Sequence, residues 1–176
     1  MLSERTRLSG TAIELISVTA EHLGSRFEPL VQLFVPAVLR VLTRPNKVFV
    51  TRAQTCLLHV IEYCHLPSIV PHLREAVKDK SQALRLGAIE ATLHLLNHFE
   101  RQLLDVRVTS STLVSRHRGN AEDIESIIRD TACDANPSVR QVSRATFEKY
   151  SDSWPDRVAA YVVMLHDSSF DSCAAR

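Results

Sequence analysis

The stretch that decides the fold is KDKSQALRLGAIEATLHLL at residues 78–96, which returns in outline as CDANPSVRQVSRATFEKY at residues 133–150. Each copy begins with a polar corner, continues with an aliphatic residue followed by Arg, and then becomes an apolar helix. The corner residues Asp79 and Asp134 lie 55 residues apart. A helix pair that recurs along a chain is typical of an α-solenoid, a fold that acts through its surface.

A third, weaker copy reads TRPNKVFVTRAQTCLLHVIEY at residues 43–63. It falls in the same phase, with Lys47 at the corner and Ala53 on the predicted packing face. From Arg44 to Asp79 the spacing is 35 residues, so the observed spacings of 35 and 55 residues straddle the roughly 40–47 residues of HEAT-type repeats. We therefore predict an all-α HEAT-repeat α-solenoid of antiparallel helix pairs.

Composition agrees with that fold and excludes several classes of function. The chain has 176 residues, 45% of them hydrophobic and 23% charged, which is enough to bury a core. The net charge of +1 gives no argument for binding nucleic acid or a membrane surface. Apolar runs are broken by Arg, His, Glu or Pro well before the ~20 residues that cross a bilayer.

Four cysteines, Cys56, Cys64, Cys133 and Cys173, are scattered without a C-x-x-C motif, and no apolar signal segment leads the chain. This pattern indicates a reducing, intracellular compartment, most simply the cytosol. We expect Cys56 and Cys64 to pack inside helices as small apolar side chains.

Helical periodicity and capping residues divide the chain into elements. Gly24 is placed to end the first helix and Pro29 to open the second. The predicted helices cover residues 7–23, 27–42, 47–64, a short segment from Pro67, 82–98, 121–132, 137–150 and about 154–166.

Residues 105–120, DVRVTSSTLVSRHRGN, have no helical period and account for the longer second spacing. We interpret them as a surface insertion in the linker between two helix pairs. The domain is predicted to span residues 1–166 and to begin in mid-repeat, without its first repeat. Residues 167–176 are predicted to form a flexible C-terminal tail.

Several phrases, in this order along the chain, resemble the TOG domain of cytoplasmic linker-associated proteins (CLASPs), in particular its fungal members. They are GTAIELISVTAEHLGSRF, FVPAVLRVL, NKVFVTRAQTCLLHVIEYCHLPSIVPHL, KSQALRLGAIEATLHLL and IIRDTACDANPSVRQVSRATFEKYSDSWPDRV. The most specific is the corner-to-helix phrase at residues 46–71, and together the phrases cover nearly all of residues 3–165.

This resemblance implies a flat paddle whose narrow edge, built from the loops inside each helix pair, docks on an αβ-tubulin heterodimer. Basic residues on that edge would face the acidic tubulin surface. Carried over by position, the edge residues are Arg5 and Arg7, Arg44 and Lys47, Lys80 and Arg85, and Asn136 and Arg140. Trp154 belongs to the last repeat and does not supply the aromatic anchor of a first repeat.

Two of these cations have a structural alternative. In HEAT repeats a corner Asp often pairs with the Arg of a neighbouring repeat, which here means Asp79 with Arg140 or Asp134 with Arg85. Both roles stay open for Arg85 and Arg140. Lys47 has no acid at its own corner and is the better candidate for a partner contact. The adjacent Val48-Phe49-Val50 could be a helix start or an interface, and we predict that these side chains pack against the core.

No catalytic motif accompanies the repeats. The chain contains no G-x-S-x-G, P-loop, G-x-G-x-x-G or H-E-x-x-H sequence, so we expect no enzyme and no cofactor. His94 and His98 have the i, i+4 spacing of a metal pair, but no third ligand is placed by the sequence. We interpret them as a surface or groove pair.

The resemblance therefore predicts a tubulin-binding module of a protein that stabilises microtubules or promotes their rescue, located in the cytoplasm on the microtubule cytoskeleton and mitotic spindle. The sequence alone leaves one rival open, a HEAT-repeat scaffold that binds another protein by its broad face without touching tubulin. Damage from corner charges would favour the first, and damage from exposed helix-face residues the second.

Overall fold

The computed structural model describes residues 2–105 and 119–159, with side chains from Gly10 onward. Every regular element in these ranges is helical, which confirms the all-α prediction. The elements are α1 (Leu2–Leu23), α2 (Glu28–Val41), α3 (Lys47–Cys64), α4 (Val70–Ala76), α5 (Gln82–His98), α6 (Arg101–Asp105), α7 (Asn120–Ala132) and α8 (Pro137–Ser153). The bounds of α3 and α5 are those predicted from the sequence.

The helices form two layers of a HEAT-like solenoid. Helices α1, α3, α5 and α8 pack side by side in one layer, while α2, α4 and α7 form the second. Each of the pairs α2–α3, α4–α5 and α7–α8 is joined by a short corner, so its two helices run antiparallel. We call these corner 1 (residues 42–46), corner 2 (residues 77–81) and corner 3 (residues 133–136).

Helix ends are set by local chemistry. Gly24 follows α1 with a φ of +53°, the left-handed conformation predicted for it. Pro29 lies in the first turn of α2, where its missing N–H is not needed. His65 ends α3 with a φ of +51°, and its ring lies 5.4 Å from that of Phe99, which holds this unusual conformation in place.

A small residue occupies the same buried position in α3, α5 and α8. Ala53, Ala88 and Ser143 each lie seven positions after the first capping residue of their helix, and each is at most 1% exposed. Larger apolar side chains fill the space between the layers, among them Phe27, Leu57, Ile61, Leu73, Ile89, Leu95, Ile124 and Ile127. The prediction that Ala53 faces the packing surface is confirmed.

The cysteines differ from one another. Cys56 and Cys64 are free and buried as predicted, and burial raises the pKa of the Cys64 thiol to about 11. Cys133, by contrast, takes part in a disulfide.

The start of the chain differs from the prediction. A helix was predicted only from residue 7, with Arg5 and Arg7 placed in a corner, yet α1 begins at Leu2. The guanidinium of Arg52 lies close to Gly10 on α1: a Cβ at this position would be 2.6 Å from Nη1 of Arg52. Arg5 and Arg7 therefore lie on a helix and not in a loop.

The predicted insertion leaves and re-enters the fold at one place. The Asn120 side-chain amide donates to the carbonyl oxygen of Leu104 at 3.2 Å, which brings α6 and the start of α7 together. Beside them, Nε1 of the buried Trp154 donates to Asp105 at 3.0 Å. Residues 106–118 themselves lie outside the described ranges.

Beyond α8 the backbone is helical again over residues 155–159, where the last helix was predicted to begin. Its predicted end near residue 166 and the predicted tail at 167–176 lie outside the described ranges. No helix in the described part of the chain is long and apolar enough to cross a membrane.

Candidate protein-binding edge

The three corners lie on one edge of the solenoid. Arg52 on α3 pairs with Glu14 on α1 at 3.4 Å, and further along both helices Sγ of Cys64 reaches the carbonyl of Ala20. The two helices thus run in the same direction. Neighbouring pairs repeat this arrangement, so the first turns of α1, α3, α5 and α8 are brought to the same side.

Corner 2 is closed by its own side chains. The Asp79 carboxylate accepts from the Ser81 N–H at 2.7 Å, and Oγ of Ser81 accepts from the Leu84 N–H at 3.5 Å. Nη1 of Arg85 donates to the carbonyls of Asp79 and Lys80, both at 3.0 Å. These bonds pair groups that the ends of α4 and α5 leave open.

Corner 3 has the same design. Asp134 accepts from the Asn136 N–H at 2.8 Å, and Oδ1 of Asn136 caps α8 by accepting from the Ser138 N–H at 2.7 Å. Nη1 of Arg140 donates to the carbonyls of Asp134 and Ala135 at 2.6 and 3.0 Å. Residues that the sequence aligns between the two corners, Asp79 with Asp134 and Arg85 with Arg140, therefore make equivalent hydrogen bonds.

Arg85 also links the two corners. Its Nε and Nη2 donate to the two carboxylate oxygens of Asp134 at 2.6 and 3.0 Å. The hydrogen bond from Arg85 holds the pKa of Asp134 below its ordinary value, and the same bond raises the pKa of Arg85. Of the two open roles for Arg85, the structure shows the inter-repeat pair.

The other proposed pair does not form. Arg140 is half-buried and bonds carbonyls of its own corner, while the Asp79 carboxylate bonds Ser81. Within the described residues, Nε and Nη2 of Arg140 have no acidic partner. Arg140 stands to corner 3 as Arg85 stands to corner 2, and its Nη1 bonds the carbonyls of that corner in the same way.

Corner 1 keeps only the cap. Oδ1 of Asn46 accepts from the Val48 N–H at 3.0 Å. Arg44 occupies the position of Asp79 and Asp134, and Val50 that of the two arginines. A corner without the acid and without the inward Arg leaves its cations at the surface.

The exposed side chains of corner 1 make a compact group. Arg44 and Lys47 are exposed and form no ion pair with a described acid, and Val48 beside them is 61% exposed. Phe49 and Val50 pack partly against the core. The prediction of a packing role for Val48-Phe49-Val50 thus holds for the second and third residues and is wrong for Val48.

The remaining predicted edge residues differ in accessibility. Lys80 is exposed, whereas Asn136 is only 8% exposed and holds the cap of α8. Arg5 and Arg7 lie in the first two turns of α1, on the side where α3 begins, and their side chains are outside the described set.

His94 and His98 lie near the C-terminal end of α5, away from corner 2. The rings of His94 and His98 are 4.1 Å apart, and Nε2 of His94 is 4.0 Å from Glu62. Burial and then the neighbouring His98 lower the pKa of His94. In the described residues no group of three His, Cys, Asp or Glu side chains is arranged to hold a metal ion.

Sequence reasoning missed a second inter-repeat ion pair. Nη1 of Arg74 on α4 lies 3.3 Å from Asp123 on α7, whose side chain is 7% exposed. No repeated motif marks it, because the positions equivalent to Asp123 in the other two helix pairs are Leu33 and Ser68, which carry no charge. Only the packing of α4 on α7 brings the two side chains together.

Known proteins resemble this chain over nearly its full length. The family "CLASP N terminal" matches residues 1–172. Protein STU1 of Chaetomium globosum is 27% identical over 184 residues, covering 100% of this chain and 15% of that protein. Protein stu1 of Aspergillus oryzae (25%) and Protein peg1 of Schizosaccharomyces pombe (27%) each cover 88% of this chain and 12% and 10% of their own lengths.

The chain thus spans 10–15% of the length of these three relatives. The family match extends over the capped corners, the two helix layers and the exposed corner 1, which are the features that define the edge. This chain belongs to the CLASP N-terminal family.

Proposed function

We propose that this chain is a tubulin-binding module and that corner 1 makes its primary contact. The observation that carries the proposal is the exposure of Arg44 and Lys47, unpaired by any described acid, on an edge where the other inward arginines are held by their own corners. Membership of the CLASP family, whose proteins are microtubule-associated, supports tubulin as the acidic partner.

Electrostatics then sets the role of each group. A single exposed ion pair contributes ~0–1 kcal/mol, so Arg44 and Lys47 mainly steer the encounter and fix its orientation. Burying the exposed Val48 side chain against a partner would add ~1 kcal/mol. Lys80, Arg5 and Arg7 extend the same edge, and Nε and Nη2 of Arg140, which have no acidic partner among the described residues, offer a further carboxylate contact.

The solenoid supplies geometry and no chemistry. Holding several corners on one edge allows a partner to be recognised by the spacing of its acidic groups. In the full protein such recognition would favour one tubulin conformation, and so stabilise microtubules or promote their rescue. The cytoplasmic microtubule and spindle location is part of the same proposal, as is the absence of enzymatic activity.

The test is binding to purified αβ-tubulin, measured by fluorescence anisotropy at low and moderate salt. Arg44→Glu/Lys47→Glu should weaken binding at least tenfold, because two attractive contacts become repulsive. Arg26→Glu/Arg144→Glu makes the same charge change at two exposed sites away from corner 1 and serves as the control. Equal loss in both variants, with circular dichroism unchanged, would contradict a corner 1 contact.

One observation favours the scaffold alternative. Leu15 and Leu33 are each 65% exposed and Val18 is 49% exposed, which places apolar side chains on the outer faces of α1 and α2. A partner bound by a broad face would cover them. Leu15→Ser/Leu33→Ser should leave tubulin binding unchanged under the edge proposal and abolish partner binding under the scaffold alternative.

A further inference from the structure

Two junctions join the three complete helix pairs, and they are built differently. Junction A joins α2–α3 to α4–α5, and junction B joins α4–α5 to α7–α8. At junction B each layer carries an ion pair: Arg85 with Asp134 at 2.6 Å in one layer, and Arg74 with Asp123 at 3.3 Å in the other. Both acids are less than a tenth exposed, so water screens these pairs weakly.

Counting from the capping residue of each corner shows which residues take these places at junction A. The Arg85 position is Val50, whose side chain has no hydrogen-bond donor. In the described structure the Asp79 carboxylate bonds only the Ser81 N–H. At junction A the equivalent of the Arg85–Asp134 ion pair therefore keeps its acid, Asp79, but has no arginine.

The second layer shows the same loss. The place of Arg74 is taken by Leu39 and that of Asp123 by Ser68. Leu39 is buried, and the buried Ser68 hydroxyl has no hydrogen-bond partner among the described residues. The equivalents of both junction B ion pairs are thus absent from junction A, one in each layer.

Between α3 and α5, junction A keeps two hydrogen bonds from Gln54, a longer approach of Glu62 to His94, and apolar packing. Nε2 of Gln54 donates to the Gly87 carbonyl and to Glu90, both at 3.2 Å, while the Glu62–His94 approach is 4.0 Å. Gly87 lets α3 and α5 come close, since a Cβ there would lie 2.7 Å from Oε1 of Gln54. Apolar contacts have no fixed direction, so they constrain the angle between two helices less than a bidentate ion pair does.

From these contacts we infer that junction A is a hinge, with the Gln54–Gly87 contact as its pivot, and that junction B is a rigid joint. The α1–α3 segment moves against the α4–α8 segment, and the distance between corners 1 and 2 changes while that between corners 2 and 3 stays fixed. The binding edge can adapt its spacing at one place. This inference is independent of which protein binds the edge.

Spin-label distances in the whole chain test it without any partner. Val48, Ala83 and Ser138 are exposed and each lies two residues after the capping residue of its corner. A ketone-bearing amino acid is placed at two of these positions at a time, 48 with 83 or 83 with 138, and both copies are labelled with an oxime nitroxide. We expect the 48–83 distance distribution to be roughly twice as wide as the 83–138 distribution. Equal widths would overturn the hinge.

A clamp variant provides the second measurement. Val50→Arg supplies the missing arginine opposite Asp79 and should narrow the 48–83 distribution alone. The same change in an Asp79→Asn background should not narrow it, and Val50→Leu serves as the control for side-chain size. If Val50→Arg narrows the 48–83 distance distribution even in the Asp79→Asn background, the missing arginine–Asp79 ion pair does not set the motion of the hinge. Circular dichroism confirms that each variant is folded.

Discussion

Corner 1 and corner 3 share a backbone cap and differ in every charged side chain. In corner 3, Asp134 is held by Arg85 from the preceding corner and Arg140 closes the corner's carbonyls. In corner 1, Arg44 stands where the acid would be and Val50 where the arginine would be, so its cations stay exposed. Within one repeating frame, satisfied charges make a structural corner and unsatisfied ones make a candidate binding corner.

The largest effect on stability is expected when the Arg85–Asp134 ion pair is removed. Arg85→Met should lower the free energy of unfolding by ~2–3 kcal/mol, because it leaves the largely buried Asp134 carboxylate without its cation. Urea unfolding followed by circular dichroism measures the loss. Arg85→Met/Asp134→Asn removes both charges and should recover part of it; a double variant less stable than the sum of the single variants would argue against a coupled pair.

A matched pair of acid substitutions sharpens the contrast between corners. Asp134→Ala should cost ~1–2 kcal/mol more than Asp79→Ala, since both lose one backbone hydrogen bond and only the first also loses a bidentate arginine. Thermal unfolding of the two variants side by side gives the difference. Identical losses would mean that the Arg85–Asp134 pair adds nothing to the shared cap.

The pH dependence of stability should follow the same pair. The pKa of Asp134 is lowered in the folded chain below its ordinary value of 3.8, so its contribution is fully present above that value and is lost as pH falls through the folded pKa. Below about pH 4, the wild type should lose stability more steeply than Arg85→Met. Parallel acid-unfolding curves for the two proteins would count against this linkage.

The smallest effect on stability is expected at the binding corner. Val48→Ser should change the free energy of unfolding by less than ~0.5 kcal/mol, because the side chain is 61% exposed. Affinity for tubulin should nevertheless fall by about threefold to tenfold. Ala83→Ser, at the equivalent site of corner 2, is the control and should leave affinity unchanged; a matching fall there would spread the contact along the edge.

The local chemistry of the sequence predicted most of the fold. α3 and α5 have the predicted bounds because polar capping residues mark their starts and because His65 and Phe99 follow their last apolar turns. The predicted start of α1 was wrong. Arg5 and Arg7 were placed in a corner by the resemblance and not by a local signal of the chain, whereas α1 runs through both residues from Leu2.

The sequence predicted only part of the candidate binding edge. Lys47 was singled out for lacking an acid at its corner, and the structure leaves it exposed. Val48 was assigned to packing, since an apolar residue in the first turn of a helix has no marker that tells core from surface. Asn136 was taken for an edge contact although its polarity serves the cap.

The sequence by itself determined the repeating helix pair, the capped corners and the register that aligns Arg85 with Arg140, because periodicity and capping are local properties of the chain. Tertiary structure alone decided which charges meet. Arg85 reaches Asp134 and Arg74 reaches Asp123 across 49 residues each. Such pairs depend on how far one repeat is turned against the next, and that rotation is set by the packing of the whole stack.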